Sequence, residues 1–458
     1  MSRARLWLGS MVALGLAIAI SRVAVHGAAP GLPAASDTAI TSRSIAFFES
    51  RLAQDPGNFM IAGQLVARYM LRFQVSANLA DVRRAESLAR SVLPLVSDTG
   101  GAYARLGAVY LTQHKFAAAY DAARRGVAWN PGNQGALGVL FDAAVATGRY
   151  AVAESTLTKL RPGRLPYQFR AAHMLSMQGR MDGAYHALDH ACIQLASAAA
   201  RPQALAWCLT ELAKIQLARA GEGEPAAAAL YRQALQVQPG YRAGIEGLAD
   251  LAFARGDWRK ARELFGRIAV DAHPDLYLRL AEVHRAVGEP AVAEQFERQF
   301  LAVARAPDAE ALYAHPLALY YASSPVTIDT ALAIARRDVA RRPAVESYDV
   351  LSWVLYRRED MAAALAASDQ ARRWGTPTPT MDYHRARILE ALGRTAESAA
   401  LLKPVLAQPS LLEPGAAWDC ANSPRPANPG GAEPRGSGSH RLLRHRLKLR
   451  HPKLPQQK

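Results

Sequence analysis

The stretch Tyr103–Pro131, YARLGAVYLTQHKFAAAYDAARRGVAWNP, decides the fold of this 458-residue chain. Leu106 and Tyr110 are four residues apart, so they lie on one face of a helix. Gly107 and Ala119 have almost no side chain, and they allow two helices to pack closely along their length. A helical hairpin of this size cannot bury its apolar stripe alone, so the stretch predicts copies that stack on one another.

The spacing of Tyr103, Leu106, Gly107 and Tyr110 resembles the W-x2-L-G-x2-Y pattern of the tetratricopeptide repeat (TPR), with Tyr in place of Trp. That family is built from a helix–turn–helix of about 34 residues. The resemblance implies an all-α fold, a right-handed α-solenoid, whose concave face binds a segment of a partner protein. Residues 349–394 resemble the closing repeats of exported bacterial TPR proteins.

A second pattern marks the turn inside each unit, where a glycine ends the first helix and a small residue follows five positions later. Ala261 and Phe265 also give the A-x3-F spacing of the family. Together these patterns predict about ten helix pairs between residues 58 and 408, within an array covering 41–412. The markers are Gly148 with Ala153, Gly179 with Ala184, Gly256 with Ala261, Gly288 with Ala293 and Gly393 with Ser398, while His114 with Ala119 and Glu359 with Ala364 lack the glycine.

Two units depart from the pattern. The unit 203–237 has extra residues in its turn, Ala220 to Pro225, and the unit 308–341 has Ser323-Ser324-Pro325 where glycine is expected. Such departures are either loops on the binding face or tolerated insertions, and we favour tolerated insertions.

Residues 1–28 have the pattern of a targeting segment. Arg3 and Arg5 precede an apolar run of fifteen residues, Leu6–Ile20, and Arg22 follows it. Fifteen residues are short against the roughly twenty that a membrane-spanning helix needs. We expect a cleaved signal peptide and an exported protein, periplasmic or secreted. The alternative is an uncleaved anchor in the inner membrane, which leaves the same array outside the cytoplasm.

Export would make a disulfide bond available to the cysteines. Cys192 falls late in one predicted helix and Cys208 early in the next, so packing of the two helices would bring them together. The alternative is that both are small apolar residues of a helical core.

The net charge of +16 belongs mostly to the ends of the chain. Residues 421–458 contain nine Lys and Arg against one acidic residue, Glu433, and therefore contribute +8. The three arginines of the targeting segment leave about +5 for the rest. We expect residues 413–458 to form a disordered basic tail. This tail is either an arm that attracts anionic polymers or the product of a shifted reading frame.

The sequence contains no pattern typical of a catalytic, nucleotide-binding or zinc site. His186 and His190 share a helix face, but Cys192 lies about 200° away from His190 around the helix, so the three do not converge. We interpret both histidines as surface residues, and we expect neither a metal nor a cofactor. The predicted function is a non-catalytic scaffold. The alternatives are a membrane-anchored envelope-assembly factor or a subunit of an enzyme complex.

Four pairs of arginines fall late in predicted second helices, where positive charge is favoured by the helix dipole. They are not interleaved with aromatic residues, and we therefore expect no nucleic-acid partner. Membrane contact is expected only through an uncleaved amino terminus or the basic tail. The pairs are Arg124-Arg125, Arg336-Arg337, Arg341-Arg342 and Arg372-Arg373.

The turn markers fix the rotational position of each first helix and thereby identify the residues that face the concave groove. Acidic residues outnumber basic ones among them, which favours a basic or amide-rich partner segment, with Phe253, Trp353 and Tyr356 as apolar anchors. The predicted partner-binding residues are Phe169, His173, Glu246, Asp250, Phe253, Asp275, Glu282, Arg285, Glu346, Asp349, Trp353, Tyr356, Tyr383, Arg387 and Glu390.

Overall fold

The computed structural model describes residues 37–412, apart from 77, 96–98, 199–201, 220–222, 269–273, 275 and 307–308. The predicted targeting segment, 1–28, and the predicted tail, 413–458, lie outside these residues. Within them the chain forms helices and no strand. The α-helices are α1 (Asp37–Gln54), α2 (Phe59–Ser76), α3 (Leu79–Ser91), α4 (Thr99–Thr112), α5 (Phe116–Trp129), α6 (Gln134–Ala146), α7 (Tyr150–Leu157), α8 (Leu165–Met177), α9 (Met181–Ser197), α10 (Pro202–Ala218), α11 (Gly223–Val237), α12 (Arg242–Ala254), α13 (Trp258–Phe265), α14 (Leu276–Ala286), α15 (Pro290–Ala304), α16 (Glu310–Ala322), α17 (Ile328–Arg341), α18 (Val345–Arg357), α19 (Met361–Ala371), α20 (Pro379–Ala391) and α21 (Thr395–Ala407).

After α1, the helices form ten consecutive pairs, from α2 with α3 to α20 with α21. The even-numbered helix is the first helix of each pair and the odd-numbered helix is the second. In most pairs, the two helices contact each other more extensively than they contact the neighbouring pairs. The prediction of an all-α solenoid of about ten helix pairs is therefore confirmed.

Small residues allow the close packing that the sequence predicts. Leu106 and Tyr110 are buried, and Ala119 is fully buried. A Cβ atom added to Gly107 would lie 2.7 Å from Val139 Cγ1 in the first helix of the next pair. It would also lie 3.4 Å from the carbonyl oxygen of Ala119. Gly107 thus serves the packing inside its pair and, more tightly, the packing between pairs.

The predicted turn residues adopt the backbone conformation that their position requires. All five marker glycines have positive φ, which is the conformation that closes a helix most easily with glycine. His114 (φ 55°) and Glu359 (φ 66°) adopt the same conformation without glycine. The glycines are Gly148 (φ 65°), Gly179 (φ 72°), Gly256 (φ 78°), Gly288 (φ 86°) and Gly393 (φ 76°).

The first helices lie on the inner side of the array. At most steps they contact the first helix of the next pair, as α4 does with α6 and α16 with α18. The second helices of neighbouring pairs contact one another slightly at most, in the part of the chain that the structure describes. A row of helices that is closer on one side curves towards that side. The inner stripe is our name for the positions of the first helices that face the inner side and are not covered by a neighbouring helix.

The array also contacts itself six pairs further along the chain. The turns after α4, α6 and α8 (113–116, 148–150 and 177–179) meet the segments at the start of α16, α18 and α20. We call this boundary the seam. The stacking of neighbouring pairs does not by itself predict it, because a linear repeat array requires contacts between neighbouring pairs only.

Hydrogen bonds and ring stacking hold the later two steps of the seam. The Val345 N–H donates to the hydroxyl of Tyr150 over 2.9 Å. The Thr376 N–H donates to the carbonyl oxygen of Met177 over 2.7 Å. The ring of Tyr150 stacks on Trp374 with 4.1 Å between centroids. The first contact satisfies a backbone donor at the beginning of α18, where no helical partner exists, and the second satisfies one in the segment just before α20.

Cys192 and Cys208 form a disulfide bond, with 5.6 Å between their Cα atoms. The bond links α9 to α10 and thereby joins two consecutive pairs. Among the helices described above, none is long and apolar enough to cross a membrane.

Candidate functional site

Three of the predicted groove residues lie in the core instead of on a free surface. Phe253, Trp353 and Tyr383 are each at most 7% exposed. The ring of Trp353 stacks on Tyr356, with 4.9 Å between centroids, and on His384, with 4.3 Å. These rings hold neighbouring pairs together and present little surface to a partner. Burial of their rings therefore corrects the prediction that Phe253 and Trp353 are apolar anchors, while the third predicted anchor, Tyr356, is partly buried.

Asp349 is buried as well. Its Oδ2 atom lies 2.9 Å from Nδ1 of His384, which joins the first helices α18 and α20. A buried carboxylate is stable only with such a partner. Asp349 therefore has a structural role, and among the predicted residues of this end of the array Glu346 remains exposed. Asp275 lies outside the described residues.

An arginine that reaches back to the preceding first helix recurs along the inner stripe. Arg170 of α8 donates to Asp142 of α6 over 2.5 Å, and also to the carbonyl oxygen of Gly138 over 3.1 Å. Burial raises the pKa of Asp142, although Arg170 acts in the opposite direction. The pair links two helix pairs and neutralises the charge between them.

The same arrangement neutralises two of the predicted acidic residues. Arg279 of α14 donates to Asp250 of α12, and to Glu282 of its own helix over 2.7 Å. Burial raises the pKa of Glu282, with Arg279 acting against that effect. The guanidinium also lies over the rings of Phe253 and Phe265, at 5.4 and 5.7 Å from their centroids. The acidic excess seen in the sequence is thus compensated locally at these positions.

Apart from the exposed Glu346, the remaining described acidic and arginine candidates are also paired within the array. Three ion pairs account for them: Glu246 with Arg242 (3.0 Å), Arg285 with Glu297, and Arg387 with Glu390 (2.5 Å). This arrangement does not favour a basic partner over a neutral one. His173 is exposed on α8.

An accessible aromatic pair lies on the inner stripe, on α8 and α10. Trp207 is 39% exposed, and its ring meets the half-buried ring of Phe169 edge to face, with 4.8 Å between centroids. Phe169 was among the predicted groove residues, but Trp207 was not. It lies in the irregular 203–237 unit, which has no glycine marker to set the phase. A disulfide bond to α9 would have fixed the side of α10 on which Cys208 lies. Trp207 would then have been placed about 100° away around the helix, because it is the adjacent residue.

Polar residues surround this aromatic pair. Trp207, Glu211 and Lys214 follow one another at helical spacing along α10. Lys214 and Glu211 form an ion pair of 2.7 Å. His173 lies one turn after Phe169 on α8. The site therefore combines an exposed aromatic surface with hydrogen-bonding groups on both sides.

The arginine pairs act through side-chain contacts in addition to the helix dipole. Arg342 donates to Ser347 (3.0 Å), and Arg373 donates to the carbonyl oxygen of Pro343, both in the seam. Arg337 donates to Glu310 over 2.8 Å. The interpretation of these arginines as helix-end charges alone was therefore incomplete.

No group of three or more His, Cys, Asp or Glu residues suited to a metal ion occurs among the described residues. His186 and His190 are exposed, as predicted. Nδ1 of His190 lies within hydrogen-bonding distance of Gln168 and Gln194, at 3.0 and 3.2 Å.

Comparison with solved structures agrees with the helix-pair geometry. The fold is TPR-like. Human IFIT1 is 16% identical with a TM-score of 0.45, over 69% of this chain and 71% of IFIT1. Pseudomonas aeruginosa PilF is 15% identical with a TM-score of 0.35, over 47% of this chain and 96% of PilF. Yeast Tom70 is 12% identical with a TM-score of 0.37, over 83% of this chain and 90% of Tom70. No protein-family model and no curated protein matches the sequence.

One of these structures overturns an expectation from the sequence. Human IFIT1 is solved as a dimer with m7Gppp-AAAA, so a helical array of this kind holds a nucleic acid in that protein. The expectation that nucleic acid is excluded as a partner was wrong. The absence of aromatic residues between the basic pairs was an insufficient reason, because RNA recognition also depends on stacking surfaces and on shape.

Proposed function

We propose that this chain is a non-catalytic scaffold that binds an extended segment of a partner protein along its inner stripe, centred on Phe169 and Trp207. The exposed Trp207, packed edge to face on Phe169, carries this proposal. Tryptophan dominates binding energy at protein interfaces when a partner covers it. A rigid aromatic pair also loses little side-chain entropy when a ligand binds.

The surroundings of the aromatic pair support a peptide segment as the ligand. Glu211 and His173 lie beside the rings and can accept or donate hydrogen bonds to the main chain of an extended segment. The charged pairs further along the stripe are internally balanced, which favours recognition by shape and hydrogen bonding over recognition by net charge.

The experiment uses a displayed library of random twelve-residue peptides selected on the full chain. The affinities of selected peptides are then measured by calorimetry for wild type, Trp207→Ala and Trp129→Ala. Trp129 is the matched control, because it is 60% exposed but lies on the second helix α5. We expect Trp207→Ala to weaken binding about 30-fold, as for a strong interface residue of about 2 kcal/mol, and Trp129→Ala to have no effect.

Equal losses in the two variants would assign the binding to non-specific apolar contact. Unchanged affinity in Trp207→Ala would place the peptides elsewhere on the array. Both results contradict the proposed site.

We also propose that the scaffold works outside the cytoplasm, in the bacterial envelope. The pattern of residues 1–28 supports export, and the Cys192–Cys208 bond supports an oxidising compartment. An alkaline-phosphatase fusion to the array tests this, with activity expected only when residues 1–28 are present. The mass of the mature protein then distinguishes a cleaved signal from a membrane anchor. Phosphatase activity without residues 1–28 contradicts the proposed route.

A further inference from the structure

His114 holds the first step of the seam. It lies in the turn between α4 and α5, with φ of 55°, where five other turns have glycine. Its Nδ1–H donates across the seam to the carbonyl oxygen of Ala311, over 3.1 Å. Its ring stacks on Phe116, with 5.0 Å between centroids. The imidazole therefore makes one contact across the seam and one ring contact within its own turn that glycine at this position would lack.

The opposite side of the seam presents two basic groups and one carboxylate. Arg342 lies over the ring of Phe116, at 5.7 Å from its centroid. It donates to Asp338 over 3.3 Å, and its guanidinium also lies against the imidazole of His315. Nε2 of His315 lies 2.8 Å from Oδ2 of Asp338. Asp338 is thus the carboxylate that balances this cluster.

An open cleft of about 490 Å³ lies beside the cluster, lined by Gln113 and Lys115, the chain neighbours of His114, and by Ala311. Its charged groups are already paired, Lys115 with Glu86 over 2.7 Å and Arg341 with Glu310 over 3.4 Å. Arg83 and Gln113 complete the polar lining. The cleft therefore admits solvent without adding an unbalanced negative charge.

With neutral histidines, the Asp338 carboxylate balances the Arg342 guanidinium. A proton on His114 adds a cation that faces Arg342. The neighbouring basic groups keep the pKa of Asp338 at about 2 despite its burial. Asp338 is already ionised in the range where histidines titrate, so it cannot supply further negative charge. Acidification therefore creates repulsion across the seam.

We propose that the seam is a latch that opens when His114 gains a proton. The turn after α4 separates from α16 first. The two later steps follow because continuous helix pairs connect them to α16 and α17. Opening leaves the stacking of neighbouring pairs intact and widens the access to the inner stripe.

The direction of the pH effect follows from the surroundings of His114. Burial lowers its pKa from the ordinary value of 6.5. The neutral form is therefore favoured in the closed array, and the closed state is fully stabilised above about pH 6.5. This stabilisation is lost as the pH falls through the lowered pKa, so the latch opens on the acidic side.

Amide hydrogen exchange tests the latch in the full chain. The reporters are the Val345 and Thr376 amides, whose acceptors lie across the seam, and the control is the Arg394 amide, bonded to Leu389 within one pair. We expect the seam amides to lose protection severalfold, up to about tenfold, between about pH 7.5 and 5.5, after correction for intrinsic exchange. The control amide keeps its protection.

The variant His114→Asn tests the role of the imidazole. Asn tolerates positive φ, offers an amide donor to Ala311 and does not titrate. We expect its seam amides to be protected at both pH values. Three results overturn the proposal: a wild type that stays protected at about pH 5.5, a variant that loses protection as the wild type does, and a variant that is unprotected at both pH values.

Discussion

The turns at Gly148 and Gly288 have the same sequence pattern and nearly the same backbone conformation, with φ of 65° and 86°. Their surroundings differ. A Cβ atom on Gly148 would lie 2.3 Å from the carbonyl oxygen of Pro343, across the seam. No atom lies within 4 Å of the corresponding position at Gly288. One glycine is needed for its backbone conformation alone, and the other also for the close approach of a distant segment.

This difference divides the array into two kinds of pair. Pairs such as α14 with α15 are held by their neighbours in sequence, as in a linear repeat array. Pairs such as α6 with α7 are also held by a pair six positions further on. Substitutions in the seam should therefore affect both segments that meet there, whereas substitutions elsewhere remain local.

The largest expected effect comes from Gly148→Ala compared with Gly288→Ala. Positive φ costs each alanine roughly 1 kcal/mol. At Gly148 the clash with Pro343 adds about 1–3 kcal/mol of overpacking. We expect a total loss of about 3 kcal/mol for Gly148→Ala and about 1 kcal/mol for Gly288→Ala, measured by urea unfolding. Equal losses would mean that the segments at this step of the seam can move apart to accommodate the added Cβ atom without loss of stability.

The second prediction concerns the carboxylate at the seam. Asp338 is buried, and its pKa is lowered from 3.8 to about 2. A lowered carboxyl pKa stabilises the fold above the unfolded pKa, and the stabilisation is lost as the pH falls towards the folded pKa. Asp338→Asn should therefore cost about 2 kcal/mol near neutral pH, and the difference from wild type should shrink between about pH 4 and 2.

Asp257→Asn is the control for that prediction. Asp257 caps α13 in a turn that contains Gly256, whose Cβ position is open, and it accepts from the Lys260 N–H over 3.1 Å. Asn caps helices about as well as Asp, so a change of less than about 0.5 kcal/mol is expected in urea unfolding. A loss at Asp257 as large as that at Asp338 would contradict the special role of the seam carboxylate.

The third prediction removes one hydrogen bond from the seam. Tyr150→Phe leaves the buried Val345 N–H without its acceptor, while the ring can still stack on Trp374. The expected loss is about 1–2 kcal/mol, with faster exchange of the Val345 amide. Tyr356→Phe, which keeps its ring on Trp353, is the control and should change stability by less than about 0.5 kcal/mol.

The helix pairs could be predicted from the sequence because their determinants are local. Gly107, Ala119 and the turn glycines act within one unit or between neighbours, at distances along the chain where periodic patterns can be recognised. The seam joins Tyr150 to Val345, 195 residues apart, and no repeat pattern links residues so distant. Contacts of that kind depend on the accumulated geometry of six pairs.

The sequence predicted which side of the first helices carries the candidate site, but not which residues on that side are exposed. The helix rotation inferred from the turn markers placed both Phe169 and Trp353 on the inner side. Burial separates them, because Trp353 fills the space between Tyr356 and His384, while Phe169 meets the exposed Trp207. Side-chain volume and the packing of the neighbouring helix pair decide which aromatic residue remains accessible. The 203–237 unit has no turn marker, so its sequence alone does not show that Trp207 faces the inner side.

The smallest effect tests the two turns in which another residue replaces glycine. Glu359 is exposed and has positive φ, so Glu359→Gly should relieve backbone strain and stabilise the array by about 0.5–1 kcal/mol in urea unfolding. His114→Gly relieves the same strain but removes the contacts with Ala311 and Phe116, so no net gain is expected. Equal gains in the two variants would show that the His114 contacts contribute nothing to the seam. A gain for Glu359→Gly alone would show that the seam contacts of His114, and not its turn conformation, determine which residue is most stabilising at position 114.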